Sequence, residues 1–177
     1  RNVIADQPGV TNPDCLILLV GHLDSYSSNP YYDAPGADDN ASGATGVLMA
    51  AEILSQYQFA CTIRYILFTA EEQGYYGSYY YIQNMVIPNQ ENIVAVINLD
   101  MIGYNYDSYP IIELHTRANN MGDIEIATQF SNVIATYQIA ITPQIINGGL
   151  TWSDHKRFWD AGYPAIMAME DSTLGVS

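Results

Sequence analysis

The chain has 177 residues, of which 49% are hydrophobic and 14% charged, and a formal net charge of −14 from 19 acidic and 5 basic side chains. This length predicts one globular domain, and the composition excludes an intrinsically disordered chain. Five scattered cations cannot neutralise a phosphate backbone or an anionic membrane surface, so we expect no nucleic-acid partner and no membrane partner. The longest apolar runs, at 15–20 and 93–99, are far shorter than the roughly 20 residues of a membrane-spanning helix.

Predicted strands and helices alternate along the chain. Aliphatic and β-branched runs, several apolar on both faces, predict strands at 3–5, 15–21, 62–69, 93–99, 111–115, 141–146 and 165–169. Helical spacing of apolar residues predicts helices over 47–54 and 126–137, and shorter helices after Tyr75 and Asp154. This alternation predicts an α/β fold in which a mostly parallel, mixed β-sheet is sandwiched between helices.

The two cysteines, Cys15 and Cys61, each begin a predicted strand. A disulfide between them is feasible if the two strands are parallel neighbours, and two buried free thiols explain the sequence equally well. The low lysine content and the 15 tyrosines favour an extracellular enzyme. We therefore expect a secreted protein.

Acidic residues and a histidine follow the predicted strands. They are His22 and Asp24 after the second strand, Glu71 and Glu72 after the third, Asp100 after the fourth, and Asp39 in the loop before the first long helix. Sites in open α/β sheets form at the carboxyl ends of the strands. So many carboxylates at one edge would repel each other by several kcal/mol without a cation, which predicts a bound divalent metal.

The ligand types indicate which metal is bound. One imidazole together with carboxylates suits zinc, whereas calcium prefers an all-oxygen site. The acids outnumber the ligands that one zinc uses, which indicates two metals that share a carboxylate. Two dications against three ligand carboxylates leave one positive charge. A bridging hydroxide would neutralise that charge, and this hydroxide is the predicted nucleophile.

Five motifs then occur in order along nearly the whole chain. They are His22-x-Asp24, Gly-Ala-Asp-Asp39-Asn-Ala-Ser-Gly, Ala-Glu71-Glu72-Gln-Gly-Tyr-Tyr-Gly-Ser, Asn-Leu-Asp100-Met and Ser-Asp-His155 followed by Ala-Gly-Tyr-Pro-Ala. Each motif alone is common. Together and in this order, they resemble the di-zinc aminopeptidases of the M28 metallopeptidase family.

The resemblance implies a role for each matching residue. His22 and Asp100 would bind one zinc, Glu72 would bind the other, and Asp39 would bridge both. Glu71 would be the general base, which passes a proton from the attacking water to the leaving amine. Adjacent residues leaving a strand point in different directions, which agrees with this division of roles between Glu71 and Glu72.

We expect two further features at this site. The carboxylate of Asp24 would accept the second ring N–H of His22 and so fix its tautomer. The resemblance also implies a cis peptide bond after Asp39.

One ligand of the family's pattern is absent from the sequence. The second zinc would take a histidine from a segment shortly after the strand that ends near Glu170, and the last histidine here is His155. We therefore expect residues 1–177 to be part of a single metallopeptidase catalytic domain in a longer protein. The alternatives are a second site with only Asp39 and Glu72, which would bind metal poorly, or a protein that has lost its activity.

Structural roles are the alternative for each motif taken alone. His22 could pair with a carboxylate in the core, the Glu71–Glu72 pair could begin a solvated helix, and the Asp38–Asp39 pair could cap the helix that follows.

Three other polar features receive structural assignments. We predict His155 to be a pocket or structural residue, and His115 to lie at the surface or just outside the metal ligands. The glycosylation sequon Asn40-Ala-Ser lies inside the predicted metal loop, so we interpret it as a coincidence.

The predicted function is that of a di-zinc aminopeptidase acting on peptides with a free amino terminus. A dinuclear carboxypeptidase is an alternative, and it would need Arg117, Lys156 or Arg157 to bind the substrate carboxylate, because Arg64 lies in the middle of a strand. A single-zinc glutaminyl cyclase of similar fold is another. A non-catalytic binding or assembly module that lost a zinc ligand is the alternative from a different class.

Overall fold

A computed structural model of the chain describes residues 1–105 and 110–171. Its strands are β1 (Val3–Gln7), β2 (Asn12–His22), β3 (Cys61–Phe68), β4 (Asn92–Leu99), β5 (Ile111–Thr116), β6 (Thr142–Asn147) and β7 (Ala165–Glu170). Its helices are α1 (Ala41–Leu54), α2 (Tyr76–Tyr81), α3 (Ile87–Asn89), α4 (Met121–Thr136) and α5 (His155–Asp160), with a π-helical turn, Ile82–Val86, between α2 and α3. Every predicted strand and helix is present with shifted ends.

The seven strands form one mixed sheet in the order β1-β3-β2-β4-β7-β5-β6. The four strands β3, β2, β4 and β7 run parallel to one another, and β5 pairs with β6 in parallel. Two pairings are antiparallel, β1 with β3 and β5 with β7. The mostly parallel, mixed sheet of the prediction is confirmed.

Helices cover both faces of this sheet. On one face, Leu18 packs in a cluster with Tyr81 of α2 and Phe158 of α5. On the other face, Val47 of α1 and Ala127 of α4 lie in a second cluster with side chains of β3 and β7. These residues are at most 1% exposed, and burial of each larger side chain stabilises the fold by about 1.5–3 kcal/mol. No helix within the described ranges is long and apolar enough to cross a membrane.

A disulfide joins Cys15 to Cys61, with the two Cα atoms 4.9 Å apart. The bond links the first buried residue of β2 to the first residue of its parallel neighbour β3. Of the two alternatives that the sequence leaves open, the structure contains the disulfide.

Candidate metal centre

The predicted metal ligands meet at the carboxyl edge of three neighbouring strands. His22 is the last residue of β2, Asp100 follows β4 directly, and Glu71 and Glu72 lie in the turn after β3. Asp39 reaches the same place from the loop before α1. Because β3, β2 and β4 are adjacent and parallel, their ends bring together side chains that are far apart in the sequence.

The ring of His22 is oriented from both sides. Its Nδ1 lies 3.0 Å from the carbonyl oxygen of Asp24, so Nδ1 carries the proton and donates to that oxygen. Its Nε2 lies 3.2 Å from Oδ1 of Asp39 and 3.4 Å from Oδ1 of Asp100. Nε2, the nitrogen that would offer its lone pair to a metal once it has lost its proton, therefore faces the two carboxylates.

The carboxylates form two overlapping groups around this histidine. His22, Asp39 and Glu72 place one ligand atom each within 4.8 Å of one another, and His22, Glu71 and Asp100 do the same. The structure thus brings together all five residues predicted to bind metal or act as base.

Asp24 differs from its prediction. Its Oδ1 lies 3.8 Å from Nδ1 of His22, which is too far for a hydrogen bond, so the prediction that this carboxylate accepts the ring N–H is wrong. The carboxylate instead accepts hydrogen bonds from the backbone N–H groups of Glu71 and Glu72, at 3.1 Å each. Asp24 therefore orients His22 through its backbone and orders the turn of the two glutamates through its side chain.

The loop that carries Asp39 is held by Asn40. The peptide bond between these residues is cis, as the resemblance implies. Asn40 is 2% exposed, caps α1, donates to the carbonyl oxygen of Leu99 at 2.9 Å and accepts from the N–H of Met101 at 3.2 Å. The cap is thus Asn40 and not the Asp38–Asp39 pair, and its buried amide is closed to glycosylation in the folded chain.

Sequence reasoning missed two residues that hold Asp100. The hydroxyl of Ser153 donates to Oδ2 of Asp100 at 2.5 Å, and the side-chain amide of Asn98 donates to the Ser153 oxygen at 2.7 Å. Both residues are fully buried. The sequence feature that indicated these two hydrogen bonds was Asn98, a polar amide in the otherwise apolar strand β4, two positions before Asp100.

Burial and like charges shift the pKa values at this edge. Burial raises the pKa of Glu71 to about 9, and Asp154 and Asp100 add repulsion to it. Burial raises the pKa of Asp154 to about 7. Burial opposes the charged form of His22, but hydrogen bonds to Asp100 and Asp39 outweigh it and raise its pKa to about 11. The site therefore holds more negative charge than its own residues neutralise.

These residues fit a zinc ion. The donor set combines one imidazole nitrogen with carboxylate oxygens, which is a set that zinc accepts. In the described part of the chain, the buried Oε1 of Glu72 has no hydrogen-bond partner. A cation between the two groups would satisfy this oxygen and offset the repulsion among the carboxylates.

The predicted metal ligands line a cleft of about 580 Å³. The lining also includes apolar side chains, among them Leu150, Trp152, Met167 and Met169. Among the described residues, neither Lys nor Arg lines this cleft. The cleft suits a ligand with a cationic end and an apolar side chain.

Each cation considered for a carboxypeptidase has a polar partner. The pairs are Arg117 with Asp123, Lys156 with Asp160, and Arg157 with the carbonyl oxygen of Gly74. Arg64 lies in β3 and pairs with Asp6 and Glu91, away from the strand end as predicted. Among the described residues, none of these cations lines the cleft, although Arg157 contacts Gly74 and Tyr75, which do.

The remaining histidines lie outside both ligand groups. His155 is fully buried and bonds to the carbonyl oxygen of Leu150, which confirms its structural assignment. His115 is only 1% exposed, so a surface position is wrong for it. The strand β5 places its side chain inward, against Glu113 and the loop that follows β6.

The sequence profile of Peptidase family M28 matches residues 2–174. The chain belongs to this family. Among curated relatives, it is 32% identical over 165 residues to leupeptin-inactivating enzyme 1 of Streptomyces exfoliatus, covering 92% of this chain and 34% of that protein. It is 30% identical over 168 residues to probable leucine aminopeptidase 2 of Aspergillus fumigatus, covering 93% of this chain and 32% of the relative.

Solved structures agree with this family assignment. A zinc aminopeptidase from Bacillus subtilis superposes with a TM-score of 0.80 at 25% identity, covering 99% of this M28 chain and 42% of the other. The chain thus spans about a third of the length of the two curated relatives and less than half of that solved structure. Its fold and its family are those of zinc metallopeptidases.

Proposed function

We propose that this M28 chain forms the catalytic centre of a zinc-dependent aminopeptidase that removes the first residue from peptides with a free amino terminus. The observation that supports this proposal best is the convergence of His22, Asp39, Glu72 and Asp100 on one strand edge, with Glu71 buried beside them. The names of the curated relatives and of the solved neighbour point to the same activity.

Four residues would hold two zinc ions. His22 and Asp100 would bind one ion, Glu72 the other, and Asp39 would be shared. Zinc bound here supplies a Lewis acid that lowers the pKa of water and polarises the scissile carbonyl. Ser153 fixes Asp100 through one oxygen, and the Asp24 carbonyl keeps the proton of His22 on Nδ1, so both ligands are held in their binding orientation.

Glu71 would move the proton. Zinc bound beside it would lower the pKa of Glu71 from the value of about 9 that burial produces, and the resulting carboxylate would take a proton from the attacking water and give it to the nitrogen of the leaving amine. Glu71 is 6% exposed, and its backbone is fixed by the carboxylate of Asp24. A buried carboxylate that is held in place in this way keeps its position while its proton is transferred.

The cleft explains the preference for a free amino terminus. The substrate ammonium would lie near the acidic side of the cleft, and the first side chain would pack against Leu150, Trp152 and the two methionines. The net charge of −14 favours the approach of a cationic end.

The test measures zinc content and activity in matched glutamate variants. Glu71→Gln should keep the zinc stoichiometry of the wild type and lower kcat by about 10²–10⁴-fold, because it removes the base and no ligand. Glu72→Gln should lose zinc. Atomic absorption and hydrolysis of leucine p-nitroanilide are the readouts, and N-acetyl-leucine p-nitroanilide should not be cleaved.

Each result separates this proposal from an alternative. Two zinc ions per chain and cleavage of only the free substrate support the di-zinc aminopeptidase. One zinc with cyclisation of amino-terminal glutamine would favour the glutaminyl cyclase. A wild type that neither binds zinc nor cleaves peptides would favour the non-catalytic module and overturn the proposal.

We further propose that the protein functions outside the cytosol. The disulfide between Cys15 and Cys61 supports this location, because reducing compartments keep such cysteines as thiols. Thiol alkylation of the protein from its native source, followed by mass measurement, should find both cysteines protected. Labelled thiols would contradict an oxidising location.

A further inference from the structure

Two of the apolar residues that line the cleft lie in a segment without regular structure. Leu150 and Trp152 both line the cleft and lie between the end of β6 and the start of α5. A loop needs specific contacts to keep such side chains in one position, because it has no backbone ladder of its own.

Two histidines hold the backbone of Leu150 from opposite sides. The N–H of Leu150 donates to Nδ1 of His115 at 3.1 Å. The carbonyl oxygen of Leu150 lies 3.0 Å from Nε2 of His155, which therefore carries a proton and donates it to this oxygen. The two polar groups of one residue are thus each paired with an imidazole.

Both histidines are neutral and buried. They are 1% and 0% exposed, and burial lowers the pKa of each, that of His155 to about 3. Since Nδ1 of His115 accepts a hydrogen bond, its proton is on Nε2, which lies 3.0 Å from Oε2 of Glu113. The ring of His155 packs edge-on against Trp159, with the ring centres 4.3 Å apart.

The loop fits closely against His115. The N–H groups of Gly148 and Gly149 both donate to the carbonyl oxygen of Thr116 at 3.0 Å. A Cβ atom added to Gly149 would lie 2.5 Å from Nδ1 of His115, which is closer than van der Waals contact allows. The position of Leu150 is therefore set by the two histidines and by Gly149, which has no side chain to clash with His115.

We propose that His115 and His155 are positioning residues that set the preference of the cleft for substrates with a large apolar first residue. They act through the Leu150 backbone and do not touch the substrate or the metal ligands. This inference rests on the proposed aminopeptidase function.

The experiment compares variants that lose or keep each hydrogen bond. His115→Leu and His155→Leu remove the acceptor and the donor. His115→Asn retains an acceptor near the place of Nδ1, and His155→Gln retains a donor near the place of Nε2. For each folded variant, kcat/KM is measured with leucine and alanine p-nitroanilides, zinc is quantified, and exchange of the Leu150 amide hydrogen is followed by NMR.

We expect the leucine-to-alanine ratio of kcat/KM to fall about five- to tenfold in both leucine variants. Most of that fall should appear in KM for the leucine substrate, with unchanged zinc content. In His115→Leu, the Leu150 amide should exchange at least about tenfold faster, while the amides of Gly148 and Gly149 keep their protection. In His115→Asn and His155→Gln, the leucine-to-alanine ratio of kcat/KM should stay within about twofold of the wild type.

The outcomes are separable from those of the proposed function. If wild type hydrolyses neither substrate, the aminopeptidase proposal fails, and amide exchange at Leu150 still decides whether His115 positions the loop. If the leucine variants do not fold, Gly149→Ala tests the same contact from the loop side and should lower the ratio similarly. Folded variants with an unchanged ratio and unchanged exchange would overturn the inference.

Discussion

Asp24 fixes the turn that carries two of the candidate site residues. Its carboxylate accepts hydrogen bonds from the N–H groups of Glu71 and Glu72. Asp24→Ala removes both hydrogen bonds, and the turn that positions the two glutamates loses this support. We predict that this change lowers zinc affinity about 10–100-fold, the usual range for such supporting contacts. Competition with a chelator of known affinity measures the loss. Asp14→Ala removes the same charge from an exposed position and should leave the affinity unchanged. Equal affinities in both variants would contradict the role of Asp24.

His155 should make folding stability depend on pH. Its pKa is lowered by burial from 6.5 to about 3, so between these values the unfolded chain binds a proton that the folded chain does not. Stability is therefore complete above pH 6.5 and decreases as the pH falls toward 3, by at most about 1.4 kcal/mol per pH unit.

The matched variant for this prediction is His155→Gln, which keeps a donor and does not titrate. The difference in unfolding free energy between wild type and variant, from urea titrations between pH 7 and 4, isolates the histidine from the other acidic groups. Parallel pH profiles in the two proteins would contradict the prediction, because they would show that His155 has the same pKa in the folded and the unfolded chain.

At the scale of secondary structure, the disulfide between β2 and β3 constrains the unfolded chain. Cys15 and Cys61 are 46 residues apart in the sequence, and closing a loop of this size stabilises a fold by about 3–4 kcal/mol in the chain-entropy estimate. We predict that Cys15→Ser with Cys61→Ser lowers the free energy of unfolding by about this amount, measured by urea denaturation. Wild type treated with dithiothreitol should match the double variant, and an unaltered unfolding curve after reduction would refute the estimate.

The order of strands and helices was predictable because apolar periodicity is local. The directions of β1 and β5 were not, since each pairs antiparallel with a strand that is distant in the sequence, and such pairings depend on long-range packing. The convergence of the predicted metal ligands on one edge was predictable from their places after parallel strands. The true partners of Asp24 and the burial of His115 depend on how separate loops meet, which no local pattern encodes.

For the whole molecule, the balance of charge links stability to metal. The chain carries a net charge of −14, and a part of this excess is concentrated at the edge where Glu71, Glu72 and Asp39 crowd around His22. Burial and repulsion raise the pKa values of Glu71 and Glu72. The charged forms of both groups are therefore less stable in the folded chain than in water. A bound dication reverses this effect and favours the folded over the unfolded state.

We therefore predict that zinc raises the melting temperature. A ligand present at about 100 times its dissociation constant stabilises the folded state by about 2.7 kcal/mol, which corresponds to roughly 5–11 °C for a chain of this size. Thermal unfolding at graded zinc concentrations, followed by circular dichroism, measures the shift, and EDTA should abolish it. Magnesium at the same concentrations is the matched control, because it shares the charge of zinc but binds imidazole poorly. An equal shift with both ions would indicate general screening of the acidic surface, whereas a shift with zinc alone would support binding at a site that contains an imidazole.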